Sequence, residues 1–169
     1  SVLAHSGEAE VIVADNASTD SSRDVLRDEF PAVRTILLDR NYGFAEGYNQ
    51  ALRQVEADVF VLLNSDVEVT PGWLTPLIAY LEAHPECAAL QPKIRQWAEP
   101  ADSAVRQRFE YAGASGGYLD RYGYPYCRGR VFGTLEQDCG QYDTPVPVLW
   151  ATGAALVIRA ADWRESGGL

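Results

Sequence analysis

The chain of 169 residues contains no methionine, three cysteines and two histidines. Cys87, Cys127 and Cys139 are widely separated and show no CxxC spacing, which argues against both a disulfide framework and a zinc site. We therefore expect free thiols in a reducing compartment. His5 and His84 have no sequence partner at metal-ligand spacing, so we expect both at the surface.

Positive charge is also scarce, since 14 lysines and arginines are set against 24 aspartates and glutamates, for a net charge of -10. Such a surface on average repels nucleic acid and anionic lipid. A phosphate group would have to be held by local donors or by a bound divalent cation. The sequence contains neither a GxGxxG nor a GxxxxGK[ST] phosphate loop. No run of apolar residues approaches the roughly 20 that a membrane-spanning helix needs.

What is present is typical of a globular protein, with 47% hydrophobic and 22% charged residues. The length suits one domain with a substantial core. The absence of methionine, together with a helix-like start at residues 1–6, leads us to expect an excised segment of a longer protein.

Short apolar runs alternate with amphipathic stretches in the first half of the chain. The runs predict buried strands over residues 10–15, 35–38 and 59–63. Apolar residues at helical spacing predict one helix over residues 21–29, a second from Phe44, and a third that follows a cap at Thr70 and Pro71. This alternation predicts an α/β fold of a nucleotide-binding type, with a mostly parallel sheet and helices on both faces.

The second half has a different composition. Residues 111–142 contain six of the nine tyrosines and seven of the fourteen glycines. We interpret them as an aromatic and glycine-rich loop insertion that folds over one side of the sheet. The alternative is that the tyrosines only close a small subsidiary core. Further strands are predicted over residues 146–149 and 154–158, and a helix over residues 160–166 that ends at Gly167.

Polar residues end two of the predicted strands. Asp15 ends the first, and Asn64, Ser65 and Asp66 end the third. Ligands of parallel sheets bind beyond the carboxyl ends of the strands. Asp66 is therefore a candidate ligand for Mg²⁺ or Mn²⁺. Asn64 could hydrogen-bond a ribose or the water shell of the ion. Asp15 is placed to accept a hydrogen bond from the N3–H of a uracil or thymine. Turn formation and helix capping are the alternative interpretation.

Two other stretches carry candidate ligand contacts. In DRNYGFAEGYNQAL a glycine turn at Gly43 opens a helix, whose free N–H groups suit an anion, and Arg40 adds a donor. Asn49 is an unfavourable residue for the middle of a helix unless its amide is used. In LWATGAALVIR, Gly153 would permit close approach of a ligand, and Trp150 would either face a sugar ring or simply pack.

The order DNASTD, RNYGFAEGYNQAL, VLLNSDVEVTPGWL and WATGAALVIR resembles inverting glycosyltransferases of family 2 with a GT-A, Rossmann-like fold. The similarity is greatest to their bacterial rhamnosyltransferase-like branch. It implies transfer from a UDP- or dTDP-sugar to a glycan or lipid-linked acceptor in cell-wall or polysaccharide biosynthesis. It also implies that the protein is cytoplasmic and that the full-length protein can associate peripherally with the inner membrane.

The resemblance implies a role for each matching residue. Asp15 matches the base-recognising aspartate, and Asn64 to Asp66 match the DxD motif with Asp66 on the metal. Because Asn64 replaces the first acid, we expect a modest metal affinity. Arg40, Gly43 and Asn49 match residues that contact the diphosphate or shape its pocket. Trp150, Thr152 and Gly153 match the loop beside the donor sugar and the acceptor.

The chain departs from the family pattern at both ends. Neither the family's opening Thr-Tyr-Asn strand nor the acidic pair that follows its equivalent of ADWRESGGL is in the sequence. We therefore assign no catalytic residue, expect the general base beyond Leu169, and expect no turnover by this chain alone. We interpret residues 1–169 as a partial GT-A domain with a nucleotide-binding half (1–100) and an acceptor-side half (101–169, insertion 111–148). The alternatives are a nucleotidyltransferase and a nucleotide-binding fragment without turnover.

Overall fold

The computed structural model describes residues 1–101, 104–111 and 114–169. Residues 102–103 and 112–113 lie outside the described residues, so the predicted acceptor-side half and its insertion are described except at those positions. The helices are α1 (Val2–His5), α2 (Ser22–Glu29), α3 (Phe44–Leu52), α4 (Thr75–Ala83), α5 (Ala160–Ser166) and a 3₁₀ turn (Ala104–Gln107). The strands are β1 (Ile12–Asp15), β2 (Arg34–Leu37), β3 (Val59–Leu63), β4 (Ala89–Leu90), β5 (Gly117–Leu119), β6 (Pro125–Cys127), β7 (Arg130–Val131), β8 (Thr134–Leu135) and β9 (Ala155–Arg159).

Most of the elements predicted from periodicity form. Strands β1, β2, β3 and β9 and helices α2 and α5 begin and end within about two residues of the predicted positions, the usual uncertainty of an element boundary. Helix α3 begins at Phe44 as predicted. Gly167 ends α5 in the left-handed conformation, with φ 85°, as its place after the last helical residue predicts. Local sequence is therefore sufficient for these elements.

The predicted start of α4 at Thr70 and Pro71 is wrong. The helix begins at Thr75, because Gly72 adopts φ 72° and turns the chain before helical geometry can propagate. The N–H of Trp73 donates to the carbonyl of Thr70 at 3.3 Å. Thr70 and Pro71 thus belong to a turn and do not form the cap and first turn of the helix.

The strand predicted over residues 146–149 is also wrong, since these residues lie outside every strand of the described chain. Pro145 and Pro147 have no N–H to donate, which prevents a regular ladder on one side. The N–H of Leu149 donates to the carbonyl of Gly117 at 2.9 Å. The next residue, Trp150, forms an isolated antiparallel bridge with Gly117.

The sheet pairings confirm a mixed α/β structure and leave a mostly parallel sheet unconfirmed. Strands β1 and β2 pair in parallel, whereas β5–β6 and β7–β8 are antiparallel hairpins. A further sheet has the order β3-β9-β4. Both hairpins lie within the region predicted as a loop insertion. Their strands are two or three residues long, too short to show a period of two in the sequence.

The chain divides into two compact units. The first unit comprises Ser1–Phe60, Val69–Pro76 and Ile158–Leu169, and the second comprises Val61–Glu68 and Leu77–Val157. Neither unit is continuous in sequence. The predicted halves, residues 1–100 and 101–169, stay a prediction.

The first unit packs α3 against the β1–β2 pair. Its apolar cluster contains Ile36, Leu38 and Ala51, with Ile12, Tyr42 and Val55 packed against it. In the same unit the rings of Phe60 and Trp163 meet edge to face with centroids 5.5 Å apart, a geometry that aromatic quadrupoles favour. The carboxyl ends of β1 and β2 are held in register, with Asp15 opposite Leu37.

The second unit is built around Phe109, whose exposure is 0%. A Cβ on Gly129 would lie 2.6 Å from the ring of Phe109, so only glycine fits beneath it. Lys93 donates to Asp138 at 2.8 Å and also to Asp143. Burial acts to lower the pKa of Lys93, but the two carboxylates outweigh it and raise the pKa above its ordinary value. The insertion 111–148 is therefore held in place by ion pairs as well as by apolar packing.

Candidate functional site

Asp15, the predicted base-recognising residue, lies at the end of β1 with its side chain 2% exposed. Its carboxylate accepts hydrogen bonds from the backbone N–H of Ser18 at 3.2 and 3.3 Å and from Nε of Arg23 at 2.5 Å. Burial acts to raise the pKa of Asp15, but the hydrogen bonds from Ser18 and Arg23 outweigh it and hold the pKa below its ordinary value. The carboxylate is therefore ionised and already engaged within the first unit.

Capping of α2 does not account for Asp15. The helix begins after Ser21, and Oδ1 of Asp20 accepts hydrogen bonds from N and Oγ of Ser22 at 3.0 and 2.6 Å. Asp20 thus serves the helix start. Recognition of a base by Asp15 stays a prediction, and it would require the base to share the carboxylate with Ser18 and Arg23.

Asn16, which the sequence reasoning missed, joins the end of β1 to the turn before α3. Its amide nitrogen donates to Oδ1 of Asn41 at 3.1 Å and to the carbonyl of Gly43 at 2.8 Å, while its oxygen accepts from the N–H of Tyr42 at 2.9 Å. A Cβ on Gly47 would lie 3.0 Å from the same amide. Its position directly after a strand-end aspartate was the available signal.

Gly43 and Arg40 lie on this turn. Gly43 precedes α3 with φ 75° and ψ -162°, a conformation that is essentially restricted to glycine. Arg40 is exposed, and its guanidinium lies 4.7 Å from the ring centroid of Tyr42. The turn therefore displays one cation and the first free N–H groups of a nine-residue helix.

Asn49 is buried, with 5% exposure, and its amide is used as its position in mid-helix suggested. The partner is the backbone of Leu169, whose N–H donates to Oδ1 at 2.9 Å and whose carbonyl accepts from Nδ2 at 3.3 Å. A Cβ on Gly168 would lie 2.5 Å from Oδ1. In this structure Asn49 anchors the segment after α5, and its predicted role at the nucleotide stays a prediction.

Asn64, Ser65 and Asp66 form a tight turn at the end of β3 in the second unit. The N–H of Val67 donates to the carbonyl of Asn64 at 3.2 Å. Ser65 and Asp66 are exposed. Among the described residues the Asp66 side chain makes no hydrogen bond and no ion pair. The turn therefore presents an uncommitted carboxylate at its outer side.

Glu68, two residues further on, is fully committed. Arg106 binds both of its oxygens, at 3.2 and 3.0 Å, and Nε1 of Trp97 donates to it at 2.8 Å. Hydrogen bonds from Arg106 and then Trp97 hold the pKa of Glu68 below its ordinary value. Of the two acids in this stretch, Asp66 is the one without a partner among the described residues, and its role as a metal ligand stays a prediction.

The residues at this turn bear on which kind of divalent-cation site could form here. Among the described residues no three His, Cys, Asp or Glu side chains are grouped to hold an ion by themselves. Mg²⁺ is commonly bound by one or two carboxylates together with substrate phosphates. An exposed Asp66 beside the half-exposed Asn64 is compatible with an ion of that kind, and its binding here stays a prediction.

Trp150 packs against the backbone of Gly117 in the second unit. The N–H of Gly117 donates to the carbonyl of Trp150 at 3.0 Å, and a Cβ on Gly117 would lie 1.8 Å from the indole. The indole Nε1 is buried without a hydrogen-bond partner among the described residues. Packing therefore accounts for most of this residue, and its contact with a sugar stays a prediction.

Thr152 and Gly153 form the turn before β9. The N–H of Thr152 donates to Oε1 of Gln91 at 2.7 Å, and its hydroxyl accepts from the N–H of Ala154 at 3.3 Å. Gln91 follows β4, and its part in holding this loop was missed because nothing in its local sequence marks it.

The structure brings some predicted site residues together within each unit. In the second unit the N–H of Asn64 donates to the carbonyl of Ala154 at 3.0 Å, so the Asp66 turn adjoins the loop of Thr152 and Gly153. In the first unit Asn16 connects the end of β1 with Gly43. Asn49 is directed instead to Leu169.

Comparison with known proteins identifies the relatives of this arrangement. The family model described as Glycosyl transferase family 2 matches residues 1–148. An N-acetylglucosaminyl-diphospho-decaprenol L-rhamnosyltransferase of Mycobacterium tuberculosis is 24% identical over 177 residues, which cover 98% of this chain and 57% of that protein. The same values hold for a second strain of that organism.

A second relative matches a shorter stretch. The uncharacterized glycosyltransferase YfnE of Bacillus subtilis is 41% identical over 63 residues, covering 36% of this chain and 16% of that protein. The chain thus spans little more than half the length of the mycobacterial relative. Within the described residues, each helix falls short of the length and apolar character required to cross a bilayer.

Proposed function

The chain belongs to glycosyl transferase family 2, and from that premise we propose that it forms the donor-binding part of an enzyme that transfers a sugar with inversion. The donor is a nucleoside diphosphate sugar, UDP- or dTDP-linked, and the acceptor is a glycan or a lipid-linked sugar. The observation that supports this proposal is the turn after β3, where Asp66 is exposed and has no partner among the described residues, while Glu68 is bound by Arg106 and Trp97.

A net charge of -10 makes an unassisted diphosphate an unfavourable ligand. Asp66, helped by Asn64, would hold Mg²⁺ or Mn²⁺, which when bound supplies positive charge to the departing diphosphate. Ser65 lies in the same turn and would contact the nucleotide. Arg40 and the N–H groups that open α3 at Gly43 would add donors for phosphate oxygens.

The chemistry is a single displacement at the anomeric carbon. An acceptor hydroxyl oxygen bonds to that carbon as the bond to the diphosphate oxygen breaks, and the hydroxyl proton passes to a general base. No residue of this chain is assigned as that base. Asp15, held ionised by Arg23 and Ser18, would receive the N3–H of the base of the donor, and Trp150, Thr152 and Gly153 would border the transferred sugar.

The acceptor is proposed from the mycobacterial relative, whose name specifies an N-acetylglucosaminyl-diphospho-decaprenol substrate. By analogy, we propose that this protein acts on a sugar carried by a polyprenyl diphosphate, on the cytoplasmic side of a bacterial membrane, in cell-wall or polysaccharide synthesis. Peripheral association of the whole protein with that membrane follows from the location of such an acceptor.

Calorimetric titration tests the donor site directly. UDP and dTDP are titrated into the protein with and without Mn²⁺, and we expect binding of at least one of them that depends on the ion. Asp66→Asn should abolish the dependence on Mn²⁺. Asp58→Asn is the matched control, because Asp58 is an exposed acid that flanks the opposite end of β3.

Two results would contradict the proposal. One is the absence of heat with either nucleotide in the presence of Mn²⁺. The other is an Asp66→Asn variant that binds the nucleotide and responds to Mn²⁺ as the unaltered protein does.

A further inference from the structure

The two hairpins of the second unit expose an unusual amount of apolar and aromatic surface. We define the hairpin patch as residues 119–132, which include the turn of β5–β6, strand β6, strand β7 and the first turn residue of β7–β8. Its exposed large side chains, with their exposed fractions, are Leu119 (49%), Tyr122 (70%), Tyr124 (70%), Tyr126 (53%), Val131 (56%) and Phe132 (92%). Large exposed apolar side chains concentrated in so short a stretch are typical of a surface that contacts a partner or a membrane.

Phe132 is the most exposed of these residues and has an unfavourable backbone. It occupies the first position of the two-residue turn between the paired residues Val131 and Thr134, with φ 51°. A bulky side chain rarely adopts that conformation, which glycine would adopt without strain. The fold thus holds an aromatic ring at the tip of a hairpin where neither packing nor turn preference explains it.

Several polar backbone groups of the hairpin patch are hydrogen-bonded within it. Oδ1 of Asp120 accepts from the N–H groups of Tyr122 and Tyr124 at 2.8 and 2.9 Å, and the N–H of Gly123 donates to the Asp120 carbonyl at 3.0 Å. Nε of Arg130 donates to the carbonyl of Phe132 at 2.5 Å. Because unpaired backbone groups are costly away from water, these contacts suit a surface that becomes dehydrated.

The charge of the hairpin patch is opposite in sign to that of the chain. It contains three arginines and one aspartate, a net of +2 within a chain of net -10. Arg128 is directed inward, its Nε donating to the Ser115 carbonyl at 2.7 Å, whereas Arg121 and Arg130 are exposed. The Arg121 guanidinium lies 4.6 Å from the ring centroid of Tyr122. The Arg130 guanidinium lies 5.8 Å from the ring centroid of Tyr111, which precedes the patch, so each exposed cation lies beside an exposed ring.

We propose that the hairpin patch docks on the surface of an anionic phospholipid bilayer, with Phe132 and the tyrosines in the headgroup region and Arg121 and Arg130 on lipid phosphates. Tyrosine at the interface and basic residues near anionic lipid are both favourable there. Elsewhere on the chain, repulsion from the lipid is screened beyond about 8–10 Å at physiological salt. The inference rests on the proposed function, because a lipid-linked acceptor lies at such a surface.

Flotation with lipid vesicles tests the docking without nucleotide or acceptor. We expect binding to vesicles of phosphatidylglycerol and phosphatidylcholine, weaker binding to phosphatidylcholine alone, and weakening by salt. Phe132→Gly should lower the partition coefficient by about tenfold or more, since a buried phenyl ring contributes at least that factor. The same change relieves the backbone strain, so loss of fold would not explain the result. Arg121→Gln should lower partition by about fivefold.

The control variant is Phe30→Ser, which removes a ring of 41% exposure from the first unit and should leave vesicle binding unchanged. The proposal is overturned if the unaltered protein does not float with anionic vesicles, or if Phe132→Gly floats equally well. It is also overturned if sedimentation velocity shows a dimer that Phe132→Gly dissociates, because the occupant is then a second copy. Nucleotide titration of the same variants separates failure of docking from failure of the donor site.

Discussion

Asp15 and Asp66 both lie near the carboxyl end of an apolar strand, Asp15 as the last residue of β1 and Asp66 three residues after β3, and the fold treats them in opposite ways. Asp15 is 2% exposed at its side chain and held by Arg23 and Ser18. Asp66 is exposed, and its neighbour Glu68 takes the available cation, Arg106. The carboxylate at one strand end is therefore engaged within the fold, and the carboxylate near the other is exposed.

The comparison shows that a strand-end acid is not by itself evidence for a site. What distinguishes the two is the supply of donors, since Arg23 extends from α2 to Asp15, whereas the arginine near β3 is satisfied by Glu68 and by the carbonyl of Ala98 at 2.6 Å. A pair of acids two residues apart with only one basic partner leaves one acid uncommitted.

The largest effect on stability should come from Asp15→Asn. The variant keeps an acceptor for Ser18 but loses the ion pair, so we expect a loss of about 1–2 kcal/mol in the free energy of unfolding. The value lies below that of a fully buried pair because Arg23 is 41% exposed. Urea denaturation measures it, and an unchanged midpoint would remove the contrast between the two strand ends.

The pH dependence should show the same contrast. The pKa of Asp15 is depressed, so its contribution to stability is present above the ordinary value of 3.8 and is lost as the pH falls below it towards the folded-state pKa. The stability difference between the unaltered protein and Asp15→Asn should therefore be full at pH 7 and shrink below about pH 4. A difference that persists undiminished to pH 2 would show that the ion pair is not its source.

Glu68→Gln should have a smaller effect than Asp15→Asn, because the Glu68 side chain is 41% exposed and exposed ion pairs are weak. A double-mutant cycle with Arg106→Gln in urea denaturation measures their coupling. Zero coupling would mean that Arg106 is not the reason why Asp66 is left free.

Asp66→Asn should have the smallest effect on stability, within about 0.5 kcal/mol, as for surface substitutions in general. Its effect should appear in the Mn²⁺-dependent binding of nucleotide instead. A stability loss equal to that of Asp15→Asn would make Asp66 a second structural acid and end the distinction.

The parts of the fold that were predicted correctly depend on local signals. The apolar runs of β1, β2 and β3, the spacing in α3, and Gly167 after α5 are each contained in one window of sequence. The start of α4 failed because Gly72 overrode a common cap pattern. The strand at residues 146–149 failed because Pro145 and Pro147 cannot support a ladder, and the two hairpins have strands too short to show a period.

The predicted site divides in the same way. Asn49 was selected because asparagine is unfavourable in mid-helix, and its amide is indeed used, but by the backbone of Leu169, 120 residues away. Asn16 and Gln91 position Gly43 and Thr152 through side-chain contacts that span 27 and 61 residues. No local pattern contains such pairings.

The amino-acid sequence by itself determined strands β1, β2, β3 and β9, helices α2 and α5, the polar residues at the strand ends and the family to which the chain belongs, because each of these is carried by neighbours along the chain. Only the tertiary structure decided that Asp15 is committed, that Asp66 is exposed, and that Phe132 is displayed at a hairpin tip. These outcomes depend on which donors and surfaces distant segments bring to a residue, and that is settled by packing.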